Sequence, residues 1–251
     1  MKKTFIMIGL ALMAIGVNAQ DNQIFNHLSF GVDLGTTGIG FEVAAPITDY
    51  VAVRAGMDFM PRFKYSSTVD LKKPTSIPST YNIPNNVEVE GKLKLNTGKI
   101  LFDAYPFQNS SFHATVGAYF GAKEIIAVSN TKEGVLMEVT NYNKTHADSP
   151  IGAKIGDYLL TPDDRGNVSG TIEVGGFRPY VGFGFGRAIP KAHRFGCCVD
   201  AGVMFWGSPK VYNKGHELSK ENLNGGGGFV KTLTTLSVYP CVSVKFVGRI
   251  L

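Results

Sequence analysis

The sequence predicts an all-β protein: a closed, eight-stranded, antiparallel up-and-down transmembrane barrel with long loops at one rim. Three observations carry that expectation. Eight segments alternate apolar and polar residues with period two, which places one residue set on each face of a strand. Charge is confined to one phase of that alternation. The connections between the segments are short and long in an order that gathers the long ones at one end.

The first 19 of the 251 residues read as a leader. Lys2 and Lys3 precede an apolar stretch from Phe5 to Val17, and Val17-Asn18-Ala19 supplies small residues for cleavage after Ala19. Residues 20–251 are then the barrel domain, without a second domain. Beyond the leader no apolar run is long enough for a membrane-spanning helix. Charged residues make up 18% of the chain and glycine is abundant, at 30 residues, which excludes a coiled coil or an acidic disordered tail. The 25 basic residues only slightly outnumber the 20 acidic ones and form no run, so the net charge of +5 does not indicate a nucleic-acid partner. Three cysteines, two of them the neighbours Cys197 and Cys198, make no disulfide framework and read as small apolar fillers.

The strands follow in order. Leu28, Phe30, Val32 and Leu34 alternate with Ser29, Gly31 and Asp33. Ile39, Phe41, Val43 and Ala45 oppose Gly40, Glu42 and Ala44; Val51, Val53, Ala55, Met57 and Phe59 oppose Arg54, Gly56 and Asp58. Ile100, Phe102, Ala104 and Pro106 set Lys99 and Asp103 on the other face. Phe112, Ala114, Val116, Ala118 and Phe120 oppose His113, Thr115, Gly117 and Tyr119. The last three apolar phases start at Phe177, Cys197 and Pro240 and place Arg178, Asp200, and Lys245 with Arg249 opposite. The long connections, roughly 61–91, 129–171 and 207–233, are polar and turn-rich, with three prolines in 74–86 and four successive glycines from Gly225. A change of phase between Leu95 and Ile100 predicts a bulge near Asn96–Gly98.

A soluble ligand-binding barrel of the lipocalin type shows the same period but buries the apolar face inside. The content of the polar face decides for the membrane. Glycines crowd it, as a narrow closed interior requires, while they would weaken a strand facing water. An apolar face without charge suits hydrocarbon, where a basic residue costs about 2–4 kcal/mol at mid-depth.

Segments 177–188 (FRPYVGFGFGRA), 196–209 (GCCVDAGVMFWGSP) and 238–251 (VYPCVSVKFVGRIL) carry a resemblance to the small eight-stranded outer-membrane barrels. These are the group of OmpX and the OmpA membrane domain, within the outer membrane protein beta-barrel domain families of Gram-negative bacteria. The resemblance covers the mature chain and is architectural. It implies an outer-membrane location, both termini in the periplasm, and lipid and the barrel assembly machinery as partners. Family members usually end in an aromatic residue that this machinery reads; this chain ends in Leu251.

Inside such a barrel, Asp33, Glu42, Asp58, Asp103 and Asp200 face Arg54, Lys99, Arg178, Lys245 and Arg249. Five acids against five bases in a narrow lumen predict an ion-paired plug rather than a pore, with Arg54 and Arg178 as organisers, since a guanidinium can bridge two carboxylates. Function then falls to the long-loop rim, where Phe63, Tyr65, Tyr81, Tyr142 and Tyr212 are candidate contacts to an unknown extracellular ligand. Phe205 and Trp206 read as interface-belt aromatics.

Catalytic signals are weak. His113 stands near Ser110 and Ser111, but no acid is visibly placed to orient it. His146, Asp148, Asp157, Asp163 and Asp164 match no metal spacing, and the run 163–167 is first a turn. Gly182–Gly186 alternates within a strand and opens no helix, so it is no dinucleotide loop. The expectation is a non-enzymatic barrel without cofactor, in a structural or surface-interaction role. Two alternatives remain beside it: passage of small apolar molecules across the outer membrane, and a lipid-modifying enzyme at the rim.

Overall fold

The structure, a computed structural model, describes residues 27–107, 110–191, 193–221 and 236–251. The leader at 1–19 and the glycine tract lie outside the described residues.

Two units of eight strands each share the chain. In order, β1 (Ser29–Gly35), β2 (Gly38–Thr48) and β3 (Val51–Phe59) belong to the barrel, and β4 (Lys64–Lys72) and β5 (Asn86–Leu93) to a cap. Next, β6 (Thr97–Ala104) and β7 (Phe112–Gly121) return to the barrel. The cap then takes β8 (Glu124–Asn130), the helix α1 (Met137–Thr145), β9 (Gly152–Ile155), β10 (Tyr158–Leu160) and β11 (Ser169–Glu173). Barrel strands β12 (Phe177–Phe185) and β13 (Phe195–Phe205) follow, then β14 (Lys210–Asn213) and β15 (His216–Glu217) in the cap, and β16 (Val238–Arg249) closes the barrel.

The barrel order is β1-β16-β13-β12-β7-β6-β3-β2, antiparallel throughout, with β2 pairing back to β1. Closure gives every strand two partners, so the barrel has no open edge. All eight strands turn the expected face outward. Phe41, Val116, Phe183 and Val244 are exposed on the wall, while Asp33, Arg54, Asp103 and Lys245 are buried inside. No helix among the described residues is long and apolar enough to cross a membrane.

The lumen is as crowded as the glycines suggested. Gly182 and Gly202 are register partners, and the Tyr180 hydroxyl lies where a Cβ on either would stand. Gly40 leaves room for the converging carboxylates of Asp33 and Asp58.

The long connections are the main departure from expectation. They are not irregular loops: they pair as a second sheet, β10-β9-β4-β5-β8-β11-β14-β15. This sheet curls around an apolar core holding Leu71, Val89, Ile126, Leu136, Tyr142, Leu160 and Ile172. Its two edges approach each other, because Asn213 Nδ2 donates to Thr161 O (3.2 Å) and Glu221 N donates to Asp157 O (2.7 Å). The anticipated bulge at Asn96–Gly98 is a handover between the two sheets. β5 ends at Leu93, Leu95 turns into the cap core at 1% exposure, and β6 begins at Thr97. The barrel's irregularity lies instead between Pro46 and Thr48, in the β2–β3 pairing.

Candidate functional site

Among the described residues, the barrel's ion pairs gather in the lumen. Inward residues of six strands bring five carboxylates and three cations into one network. Arg54 sits at its centre, 2% exposed, with Nη2 2.8 Å from Asp103 Oδ1 and Nη1 2.7 Å from Asp200 Oδ2 and 3.5 Å from Glu42 Oε1. Lys99 Nζ lies 2.7 Å from Asp33, 2.8 Å from Asp58 and 3.4 Å from Glu42. Lys245 Nζ reaches Glu42 at 2.6 Å and Asp200 at 3.3 Å. Thr115 Oγ1 donates to Asp103 Oδ1 at 2.8 Å. Each cation bridges at least two carboxylates, which is how buried charges offset their desolvation.

Beside this network Leu101, Tyr119, Tyr180, Met204 and Cys241 form an apolar cluster in the lumen, with Leu101 in register with Arg54 and Tyr119 with Lys99. Towards the cap, Trp206 packs at a tilt against Tyr239 (4.9 Å between ring centroids) and joins the cap core. A cavity of about 10 Å³ is left among the ion pairs, beside Arg54, Lys99 and Lys245. That is about the space of one water molecule. The arrangement fills the lumen rather than lining a channel.

Of the ten residues expected in the network, eight are there. Arg178 is a correction. It is fully buried, but Nε donates to Gly175 O (2.7 Å) and Nη2 to Ala122 O (2.6 Å), so it holds backbone carbonyls and bridges no carboxylates. It stands at the start of β12, where the barrel gives way to the cap. Arg249 is the second correction: at the opposite end, Nη1 reaches the carbonyls of Pro190 and Lys191, both at 3.3 Å. Five carboxylates thus face three permanent cations.

His113 supplies the group that sequence reasoning missed. An acid is in fact placed against it: Nε2 lies 2.9 Å from Asp200 Oδ1, while Nδ1 faces Gly186 O at 3.1 Å. Both ring nitrogens therefore meet oxygen acceptors, and neither meets a serine hydroxyl. Ser110 Oγ instead accepts from Phe112 N at 3.1 Å, and the contact with Ser111 is to its backbone carbonyl.

The chain matches no family model and no curated protein. Among solved structures it is similar to two from Acinetobacter baumannii. CarO2 aligns over 91% of this chain and all of that one, with a TM-score of 0.47 and 16% identity. CarO aligns over 91% and 99%, with a TM-score of 0.46 and 15% identity.

The five candidate contact aromatics separate by burial. Phe63 and Tyr65 are exposed, and Tyr81 and Tyr212 are half-buried. Tyr142 is a correction: it is 3% exposed in the cap core, stacked on His146 at 4.2 Å and meeting Tyr81 edge-on. Trp206 is another. Rather than facing a lipid interface it is buried, with Nε1 donating to Leu236 O at 2.8 Å, whereas Phe205 is exposed on the wall.

The cysteines are free, Cys197 on the wall and Cys198 and Cys241 inside. Among the described residues no group of His, Cys, Asp and Glu is gathered to hold a metal. Asp163 makes the anticipated turn, accepting from Arg165 N and Asn167 N. On the cap, hydrogen bonding from Lys92 lowers the Glu90 carboxyl, and burial raises the Tyr158 hydroxyl.

Proposed function

We propose that this protein is exported to the outer membrane, where its barrel is a closed, charge-plugged stalk. The stalk carries the cap on the outer surface in a non-enzymatic, structural or surface-interaction role. The observation that carries this reading is the division of the barrel into an exposed apolar wall and a buried, ion-paired lumen. An aqueous setting would leave Phe30, Phe41, Val116, Phe183 and Phe246 in water as one continuous belt, far beyond the apolar patches that soluble monomers tolerate. Hydrocarbon suits that belt, and barrel closure satisfies the backbone there.

The kinship expected with OmpX and the OmpA membrane domain rests on the barrel alone, since the cap adds a second sheet with its own core. Lipid and the assembly machinery are the partners this location requires. The extracellular partner is sought on the cap surface, near exposed Phe63 and Tyr65.

Single-channel recording in planar bilayers tests the plug. The purified protein should add no stable openings of porin size. Steady openings of that size would overturn the proposal. Passage of apolar molecules is the weaker reading, because the route from the cap is filled by Leu101, Tyr119, Tyr180 and Met204. A rim enzyme is weaker still, because His113 is directed at Asp200 and backbone carbonyls.

A further inference from the structure

We propose that the short-turn rim holds an anionic phospholipid, with an acyl chain in a groove on the outer wall and its phosphate on the basic residues beside it. The inference rests on the membrane reading above and adds a specific site to it.

The groove exists because of one glycine. Gly248 of β16 pairs with Phe30 on one side and with Phe195 on the other, and its place on the strand faces outward. Between two large aromatic rings the wall therefore has a gap. Phe246 in β16 and Ile250 just past its end, two residues either way from Gly248, continue the outward row and bound it lengthwise. The result is a groove of about 610 Å³ whose walls are almost wholly apolar. Its rings are among the most exposed of the barrel: Phe195 is 77% and Phe246 68% accessible. An elongated hydrocarbon chain has the shape and chemistry to fill it, and burying each of its methylenes is worth about 0.8 kcal/mol.

The headgroup end is set by charge. Arg249 borders both the groove and a second recess of about 320 Å³ at the barrel mouth, which Lys191 and Arg187 also line. Arg194 adjoins Phe195, and its carbonyl accepts from Arg249 N at 2.8 Å. Asp49 also lines the recess, and Lys191, Arg249 and the adjoining Arg194 outnumber it. Among the described residues the Arg249 guanidinium engages the turn carbonyls through Nη1, so that Nε and Nη2 can donate to a phosphate oxygen. A zwitterionic lipid offers the same chain but not the net negative charge, so the rim should discriminate between headgroups.

The test is native mass spectrometry of the full chain in detergent, with phosphatidylglycerol and phosphatidylcholine of identical acyl chains. The wild type should retain one phosphatidylglycerol in clear preference to phosphatidylcholine. Gly248→Leu should abolish retention of both lipids, because its side chain occupies the groove. The added Cβ would meet Phe195 Cε1 at 3.2 Å, which an exposed ring relieves by a small rotation. Arg249→Gln and Arg194→Gln leave the groove open and should each reduce the headgroup preference about fivefold. Equal retention of the two lipids by the wild type would overturn the proposal, as would undiminished retention by Gly248→Leu. Reconstitution into phosphatidylcholine vesicles separates the two levels: failure to insert counts against the membrane reading, while insertion without lipid preference counts against this site alone.

Discussion

Replacing Arg54 by methionine tests the plug most directly. The substitution keeps most of the volume and removes a cation that reaches three carboxylates. Their fates differ. Glu42 retains Lys245 at 2.6 Å and Lys99 at 3.4 Å, and Asp200 retains His113 at 2.9 Å and Lys245 at 3.3 Å. Asp103 loses its one cation and is left with the Thr115 hydroxyl at 2.8 Å and the Tyr105 hydroxyl at 3.5 Å. One buried, uncompensated carboxylate costs about 3–5 kcal/mol, so Arg54→Met should destabilise the barrel by about that amount. Adding Asp103→Asn removes the stranded charge while keeping an acceptor for Thr115, and should return about 1–2 kcal/mol. The assay is urea unfolding of the protein refolded into phospholipid vesicles, followed by the mobility of unheated samples on a gel. Two results would refute the reasoning: a loss below about 1 kcal/mol for the single variant, or a double variant no more stable than the single one.

Gly40→Ala should destabilise the barrel by about 1–3 kcal/mol, because its methyl group would collide with the carboxylates of Asp33 and Asp58; the urea midpoint reads this. Within the cap, Tyr142→Ala should cost about 3–5 kcal/mol and Phe63→Ala less than about 0.5 kcal/mol, as denaturation followed by Trp206 fluorescence will show, since one ring is buried and the other exposed. Trp206 is the sole tryptophan, so its emission should be blue-shifted when folded, and Trp206→Phe should cost about 1 kcal/mol or more through its lost bond to Leu236 O.

The barrel was legible because lipid-like and lumenal surroundings impose opposite demands on successive residues. A strand such as Phe177–Phe185 reports that alternation in its own sequence, whatever its partners are. The same parity says which face a residue takes and nothing about its depth. Arg178 and Asp200 both point inward, yet Arg178 stands at the start of its strand and Asp200 in the middle of the next. Parity alone therefore assigns Arg178 and Arg249 to the ion pairs, while their depth at the two ends of the barrel sets them on backbone carbonyls instead. Asp200 lies 87 residues from His113, so their contact depends on strand order and stagger, which alternation does not encode. The cap was hidden for a related reason. Its strands β9, β10, β14 and β15 have four residues or fewer, too short to show a period, and β4 pairs with β9 across the intervening barrel strands β6 and β7.

The corrected position of Arg178 explains how the two sheets join. Where β7 ends and β12 begins, the backbone must pass between one ladder and the other, and the carbonyls in transit lose their strand partners. Gly121 N donates to Gly176 O, Val174 N to Lys123 O and Gly175 N to Trp206 O, carrying the pairing across the break. The carbonyls of Gly175 and Ala122 remain, turned inward, and the Arg178 guanidinium takes both. A neutral side chain of that length offers no comparable fan of donors. Leu95, Val174 and Trp206, each next to such a break, turn into the cap core together. The barrel hairpins therefore continue into the cap as one bonded framework, and the apolar core that holds the cap together meets the apolar cluster of the lumen at Tyr239, which packs against both.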